Sequence, residues 1–391
     1  MPAPREPLLT RSFVLLTASD LAYFLGAGVL VFATPLFVAG PLAGGPAQVG
    51  WAMGSFSVTT LVLRPWLGRW TDRHGRRLLL VGGAAGFALV VLAHLAVDSL
   101  AGLVAVRLVL GAAEACYFVA GFAALADLAP PDRAGEALSL NSLALYVGIA
   151  VGPVAGQGLV AAWGYPAAWV GAACCVGVAA VLVSAVPETR GSSGPAVDGP
   201  PPLLHPAIRG PGIALALGLL AMSAFLPFSV LLARVSGIPW VSAGLLVFGS
   251  TVVVCRLVFA RLPDRVPAAP LAGAALVASG AGMLLLGTWP TATGLVVGAL
   301  VCGAGSAFLT PAVFGLVFRS VPAAERGAAA GGLSMFMDLG LTGGPLLLGL
   351  VAAAGGLGPA FALMAVPPLV GALVLSPRIG RTGRSRVRPA G

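Results

Sequence analysis

Apolar residues run along this chain in twelve long stretches. The first six lie at about 13–38, 49–67, 78–97, 100–125, 137–161 and 165–186. The second six lie at about 211–233, 240–262, 268–288, 291–318, 328–354 and 357–376. Each meets or approaches the roughly 20 residues that cross a bilayer as a helix. A helix satisfies its own backbone hydrogen bonds in lipid, so such runs are read as spans. The pattern predicts an all-α membrane protein of twelve transmembrane helices. Between the two sets, the Gly-, Ser- and Pro-rich segment GSSGPAVDGPPP reads as a flexible connector. The expected organisation is a polar N-terminus (1–12), a six-helix half (13–186), a linker (187–210), a second six-helix half (211–376) and a basic tail (377–391).

Composition agrees and narrows the class. Of 391 residues, 58% are hydrophobic and 9% charged, against roughly 25% charged in a soluble domain. Mean hydropathy is +1.00. This excludes a cytosolic enzyme, a nucleic-acid-binding protein and a disordered chain. The net charge of +9 is carried by Arg alone, with no Lys. Those arginines cluster after span 2 (Arg69, Arg73, Arg76, Arg77), after span 8 (Arg261, Arg265) and after span 10 (Arg319, Arg326). They also mark the N-terminus, the connector and the tail, whereas the loops after spans 1, 3, 5, 9 and 11 hold none. The positive-inside rule then predicts both termini in the cytoplasm. The five cysteines, Cys116, Cys174, Cys175, Cys255 and Cys302, fall inside apolar runs without metal-ligand spacing and read as small buried hydrophobes.

The halves repeat at a constant offset of 192 residues. Pro35 matches Pro227, Arg64 matches Arg256, Asp72 matches Asp264, Gly111 matches Gly303, Gly152-Pro153 matches Gly344-Pro345 and Gly164 matches Gly356. One gap-free offset linking Gly, Pro, Arg and Asp predicts two halves of the same orientation, with a substrate path between them.

The sharpest motif closes span 2 and opens span 3: Gly68-Arg-Trp-Thr-Asp72-Arg73-His-Gly75-Arg76-Arg77. Gly68 permits close helix approach and Gly75 a tight turn. Asp72 suits the partial positive charge of a helix N-terminus. This segment resembles motif A of the major facilitator superfamily, and the twelve spans, half repeat and central connector match that family too. The resemblance implies a latch between the halves, in which Asp72 meets the start of span 11 near Gly327 and Arg73 or Arg76 pairs with Asp127.

Span 4 places Arg107, Gly111 and Glu114 on one helical stripe. A charge at mid-membrane costs about 2.5–3.5 kcal/mol even on the mild insertion scale, so the stripe predicts a polar cavity or a paired partner. It is similar to motif B of the family, whose Arg is tied to proton coupling; a structural ion pair is the alternative. Span 5 carries Gly148, Gly152, Pro153 and Gly156, a smooth packing face with a kink. It resembles motif C, which in this family is associated with antiporters.

Two further acids lie within apolar runs, Asp20 in span 1 and Asp338 in span 11. Intramembrane carboxylates mark proton or substrate paths, because burial and a nearby Arg shift their protonation in opposite senses. Asp20, Arg107, Glu114 and Asp338 are therefore the expected proton-coupling set, with Asp20 or Glu114 as carrier. Phe24, Tyr117, Tyr146, Phe228 and Met335 are expected to line a substrate cavity. His94 is expected at the membrane interface. No phosphate-binding loop, catalytic triad or metal cluster is present in the sequence, so no cofactor and no enzymatic activity are expected. The resemblance implies a proton-coupled exporter of the drug:proton antiporter type, taking small, partly apolar molecules across a bacterial cytoplasmic membrane as a monomer. An uptake permease of the same fold is the alternative reading.

Overall fold

The computed structural model describes residues 8–130, 133–189, 206–259, 262–322 and 326–384. Every expected apolar run lies on helix, and the described residues contain no strand. The first half comprises α1 (Arg11–Ala39), α2 (Pro46–His74), α3 (Arg77–Leu92), α4 (Leu100–Leu128), α5 (Ala134–Trp163) and α6 (Tyr165–Ser184), with a 3-10 turn at Ala93–Ala96 after α3. The second comprises α7 (Pro206–Val235), α8 (Ala243–Val258), the single turn α9 (Leu262–Arg265), α10 (Ala268–Thr288), α11 (Ala292–Phe318), α12 (Arg326–Gly355), α13 (Leu357–Leu363) and α14 (Val366–Arg384). α13 and α14 together form the twelfth pass.

Among the described residues, ten stretches are long and apolar enough to cross a membrane, and Ala243–Val258 is a shorter apolar helix. The remaining pass, α2, has the length at 29 residues. Its last third carries Arg64, Arg69, Asp72 and Arg73, which dilute its hydropathy. Large apolar side chains such as Leu89, Val181 and Leu373 face outward on the passes. Water would make such a surface a liability, and lipid makes it neutral. Trp51, Trp66, Trp70, Trp163, Trp240 and Trp289 are also exposed, all near helix ends, where indole rings favour the membrane–water boundary.

Contacts divide the chain into two compact units, residues 1–37 with 55–197 and residues 38–54 with 198–391. Within the first, α3 packs on α4 and α6; within the second, α10 packs on α11 and α14. The 192-residue offset holds at atomic detail. Ser99 caps α4 by accepting from Gly102 N, and Thr291 caps α11 by accepting from Gly294 N. Gly164 and Gly356 take φ of +79° and +85° between the last two passes of each half, a conformation that favours glycine. A side chain at Gly111 would strike the Phe56 carbonyl and Thr59, and one at Gly303 would strike the Phe248 carbonyl and Thr251. Duplicated positions thus make duplicated contacts inside each unit.

One expectation changes. His94, in the 3-10 turn that closes span 3, is buried by protein, with its ring 4.8 Å from that of Trp169 and Nδ1 2.9 Å from the Val91 carbonyl. Of the cysteines, Cys302 is buried and Cys174 is exposed, with the others between; an outward thiol in a span is covered by lipid instead of protein. Residues 190–205, Arg261, residues 1–7 and residues 385–391 lie outside the described residues, so most of the expected connector and the end of the tail do too.

Candidate functional site

The polar centre of the first unit is built around Asp20. Its carboxyl is buried at 6% exposure and meets two polar side chains from other helices. Tyr117 Oη of α4 lies 2.6 Å from Oδ1, and Asn141 Nδ2 of α5 donates to Oδ2 at 2.8 Å. Thr17 Oγ1 in turn donates to Asn141 Oδ1 at 3.1 Å, fixing which way the amide faces. Ser19 Oγ lies 2.9 Å from Tyr117 Oη and 2.9 Å from the Ala179 carbonyl of α6. Four helices therefore meet in one polar network around Asp20. The Tyr117 ring stacks on Tyr23 at 4.3 Å, and Tyr23 also meets Phe24 and Phe87.

Helix packing sets this geometry. The glycines of α5 lie against α1: a Cβ at Gly148 would sit 2.5 Å from the Phe24 backbone, and one at Gly152 2.5 Å from the Leu25 carbonyl. Gly156 continues the stripe against Val29 and Phe32. Only small residues allow this approach, and it brings Asn141, two turns before Gly148, within reach of Asp20. In the second unit Gly340 and Gly344 lie in the same way against Ala216 and Leu220 of α7. There the polar groups are gone. The residues 192 positions after Asp20, Tyr117 and Asn141 are Gly212, Leu309 and Leu333, and both leucines belong to a closed apolar core.

An open cleft borders the Asp20 carboxyl in the first unit. Phe24, Tyr117, Phe118 and Phe122 supply aromatic walls, and Asn141 and Ser142 add polar edges. Apolar walls with a few convergent polar groups are what a small-molecule site needs. Of the expected cavity residues, Phe24 and Tyr117 border this cleft. Tyr146 is buried without bordering it, Phe228 is wholly buried within the second unit, and Met335 is 44% exposed on α12.

The span-4 stripe turns toward α2. Arg107 is buried with its guanidinium 4.8 Å from the centre of the Phe56 ring. Thr60 Oγ1 lies within hydrogen-bonding distance of Glu114 Oε2, at 3.0 Å, and of the Gly111 carbonyl, at 3.2 Å. Asp338 is buried in α12, where its carbonyl accepts from Thr342.

At the arginine-rich end of the first unit, Arg76 bridges two acids: Nη1 lies 3.2 Å from Asp72 Oδ1 and Nε 3.1 Å from Asp127 Oδ2. Arg76 thus pairs with Asp127. Asp72 itself is 72% exposed. The surroundings of Gly327 lie outside the described residues. Gly75 has φ of +95°, and beside it the Glu188 carboxylate accepts from Arg76 N at 2.8 Å and Arg77 N at 3.1 Å. Glu188 follows α6 and caps α3 from 111 residues away, satisfying donors that the helix start leaves orphaned. Arg77 Nη2 completes the tie by donating to the Ser184 carbonyl at 2.8 Å.

Sequence reasoning missed Asn141, Ser19 and Glu188. An amide within the apolar run of span 5 was a usable signal for Asn141; for Ser19 and Glu188 no local signal existed.

Comparison with known proteins gives one consistent result. The model of the Major Facilitator Superfamily matches residues 16–293 and 251–390. An uncharacterized MFS-type transporter of Pseudomonas aeruginosa is 33% identical over 411 residues, covering 98% of each chain. One from Salmonella typhimurium is 27% identical and covers 96% of this chain and 98% of its own. Among solved structures, a bacterial homolog of the human lysosomal transporter Spinster superposes with a TM-score of 0.77 at 15% identity, covering 99% and 100% of the two chains. The human organic anion transporter MFSD10 gives 0.73 at 18% identity, covering 95% and 100%.

Proposed function

Because the chain belongs to the Major Facilitator Superfamily and is a multi-pass membrane transporter of small molecules, we propose that it exports small, partly apolar compounds in exchange for protons. The observation that carries this reading is the Asp20 carboxyl. It is buried, held by Tyr117 and Asn141, and set at the edge of an aromatic cleft. A carboxyl in that position can bind a proton or face a substrate, and alternating exposure of one group to two ligands is the simplest form of exchange. Aromatic walls favour apolar and planar molecules.

The packing of the α5 glycines on α1 supports the exchange direction through its likeness to the antiporter motif. Rocking of the two halves about a central site would supply alternating access. The 13–186 and 211–376 segments would be the moving halves, and Asp72, Arg73, Arg76 and Asp127 the latch on one face. Arginine distribution supports cytoplasmic termini, and the bacterial relatives support the inner membrane. The protein works as a monomer in this reading.

The test is flux in proteoliposomes of purified protein with an imposed pH gradient, run against a panel of dyes, antibiotics and metabolites. Accumulation of substrate on the side that the protons leave, against the substrate gradient and abolished by a protonophore, is the expected result. Flux that ignores the pH gradient overturns proton coupling, and proton-driven uptake in the same direction as the proton favours a permease.

A further inference from the structure

The hydroxyls around Asp20 can be counted against their contacts. Three oxygen–oxygen contacts run in series: Asp20 Oδ1 to Tyr117 Oη at 2.6 Å, Tyr117 Oη to Ser19 Oγ at 2.9 Å, and Ser19 Oγ to the Ala179 carbonyl at 2.9 Å. All three distances are those of O–H···O bonds. Each bond needs one proton. Tyr117 and Ser19 bring one proton each, and a backbone carbonyl brings none. If Asp20 is ionised, Tyr117 donates to the carboxylate and Ser19 to the carbonyl, and the contact between the two hydroxyls is left without a proton. If Asp20 is protonated on Oδ1, it donates to Tyr117, Tyr117 to Ser19 and Ser19 to Ala179, and every contact is filled.

We propose that this conformation holds Asp20 in its neutral form, and that Ser19, which does not touch the carboxyl, sets that state through Tyr117. The Ala179 carbonyl is the fixed end of the chain, because it can only accept. The direction of both hydroxyl bonds then reverses when the proton leaves Asp20. Tyr117 turns its proton to the carboxylate, and the Ser19–Tyr117 bond is lost.

The rest of the surroundings fits a neutral acid. Asn141 donates to Oδ2, which leaves Oδ1 for the proton. Among the described residues Asp20 has no ion pair. α1 brings Tyr23, with its hydroxyl buried and lacking a hydrogen-bond partner among the described residues. α4 brings Tyr117, Cys116 and Glu114, and Glu114 is directed to Thr60. α3 brings Phe87. No cation from these elements touches the carboxyl. At the equivalent positions of the second half, Leu309 and Leu333 replace Tyr117 and Asn141.

This inference rests on the proton-exchange reading for its role in transport, but its test needs no substrate. Infrared difference spectra of the full-length protein in lipid vesicles at neutral pH report the C=O stretch of protonated carboxyl groups, and Asp20→Asn identifies the Asp20 component. Wild-type protein is expected to show that component. Ser19→Ala removes the relay and restores the pattern in which Tyr117 serves the ionised carboxylate. One hydrogen bond corresponds to a change of roughly fivefold in the ratio of neutral to ionised Asp20, so on raising the pH the component should be lost at a proton concentration roughly fivefold higher than in wild type. Ser19→Thr keeps a hydroxyl and should titrate as wild type does. A role for Ser19 in packing alone would leave the titration of the carboxyl signal unmoved. Absence of an Asp20 component in the wild type, or an unshifted titration in Ser19→Ala, overturns the proposal. A normal spectrum in a protein that ignores the pH gradient would instead count against proton exchange while leaving the relay intact.

Discussion

Asn141 reaches across from α5 to donate to Asp20 Oδ2 at 2.8 Å. This bond joins the helix that carries the glycine stripe to the helix that carries the buried acid, so helix packing and carboxyl chemistry are one structural problem.

Replacing Asn141 by Leu, the residue at the equivalent position of the second half, deletes the amide donor to Asp20. Loss of a donor to a buried acid costs about 1–3 kcal/mol. If that cost falls on the working state of Asp20, transport should drop by roughly 5- to 150-fold, since about 1.4 kcal/mol is a factor of ten. The apolar side chain suits its setting, so the melting temperature in detergent should stay close to wild type. Flux and thermal melting, measured on the same preparation, check this. Undiminished flux would remove Asn141 from the mechanism.

Gly148→Ala adds a single methyl group where its Cβ would sit 2.5 Å from the Phe24 backbone. The backbone of α1 cannot yield as a flexible side chain would, so α5 has to move away. Overpacking of this kind costs about 1–3 kcal/mol. The variant should melt at lower temperature and lose flux as well, because Asn141 rides on the same helix. Gly158→Ala is the control, since nothing lies within 4 Å of its added Cβ. Equal melting temperatures for the two variants would show that the stripe is not under packing constraint.

Much of this was readable in the chain, for physical reasons that differ between residues. Span length is dictated by the bilayer, so the twelve passes follow from runs of apolar residues alone. The repeat was legible because Gly111, Gly303, Gly164 and Gly356 meet backbone constraints that tolerate little else. Asp20 stood out because an acid in a span is costly. Its partners did not. Ser19 is the next residue to Asp20, yet consecutive helical side chains point about 100° apart, and only the approach of α4 and α6 draws both into one network. Phe228 carries the same signature as Phe24, an aromatic in an inner span, but the second half closes on it with an apolar core. Glu188 sits in a stretch that looks like linker, and its role depends on a helix start more than 100 residues away.

Two acids at the arginine-rich end should behave in opposite ways. Glu188 fills two backbone donors at the start of α3, beside a glycine with positive φ. Its replacement by Ala should destabilise the fold by about 1 kcal/mol, as loss of a helix cap does, and lower the melting temperature. Asp72 is mostly exposed and makes one surface ion pair with Arg76, so Asp72→Asn should leave melting nearly unchanged. If Asp72 acts as a latch, that variant should nonetheless transport poorly and make the arginine-rich face more accessible to thiol probes on introduced cysteines. A stable, fully active Asp72→Asn protein would sink the latch, and a Glu188→Ala protein that melts like wild type would sink the cap.

The coupling acids make the most demanding prediction, because the structure treats them unequally. Asp20 has two side-chain hydrogen-bond partners and an aromatic cleft at its edge; Glu114 has Thr60 and a place on the stripe with Arg107, which lies over Phe56; Asp338 is buried in the other half. Asn and Gln keep the volume of the acids and one carbonyl oxygen, but they cannot take up or release a proton in this range. If Asp20 carries the transported proton, Asp20→Asn alone should abolish flux driven by a pH gradient, by two orders of magnitude or more, while the protein inserts and still exchanges substrate across the membrane at equilibrium. Glu114→Gln should reduce driven flux less, because its hydrogen bond to Thr60 can be kept by the amide oxygen. Asp338→Asn should alter apparent substrate affinity more than coupling, since the second half has Leu309 and Leu333 where the first has Tyr117 and Asn141. Flux with and without a pH gradient, measured on the three single variants and on the triple variant, separates these roles. Full gradient-driven flux in the triple variant would exclude carboxylate coupling at all three positions and turn the reading toward facilitated diffusion or another coupling ion.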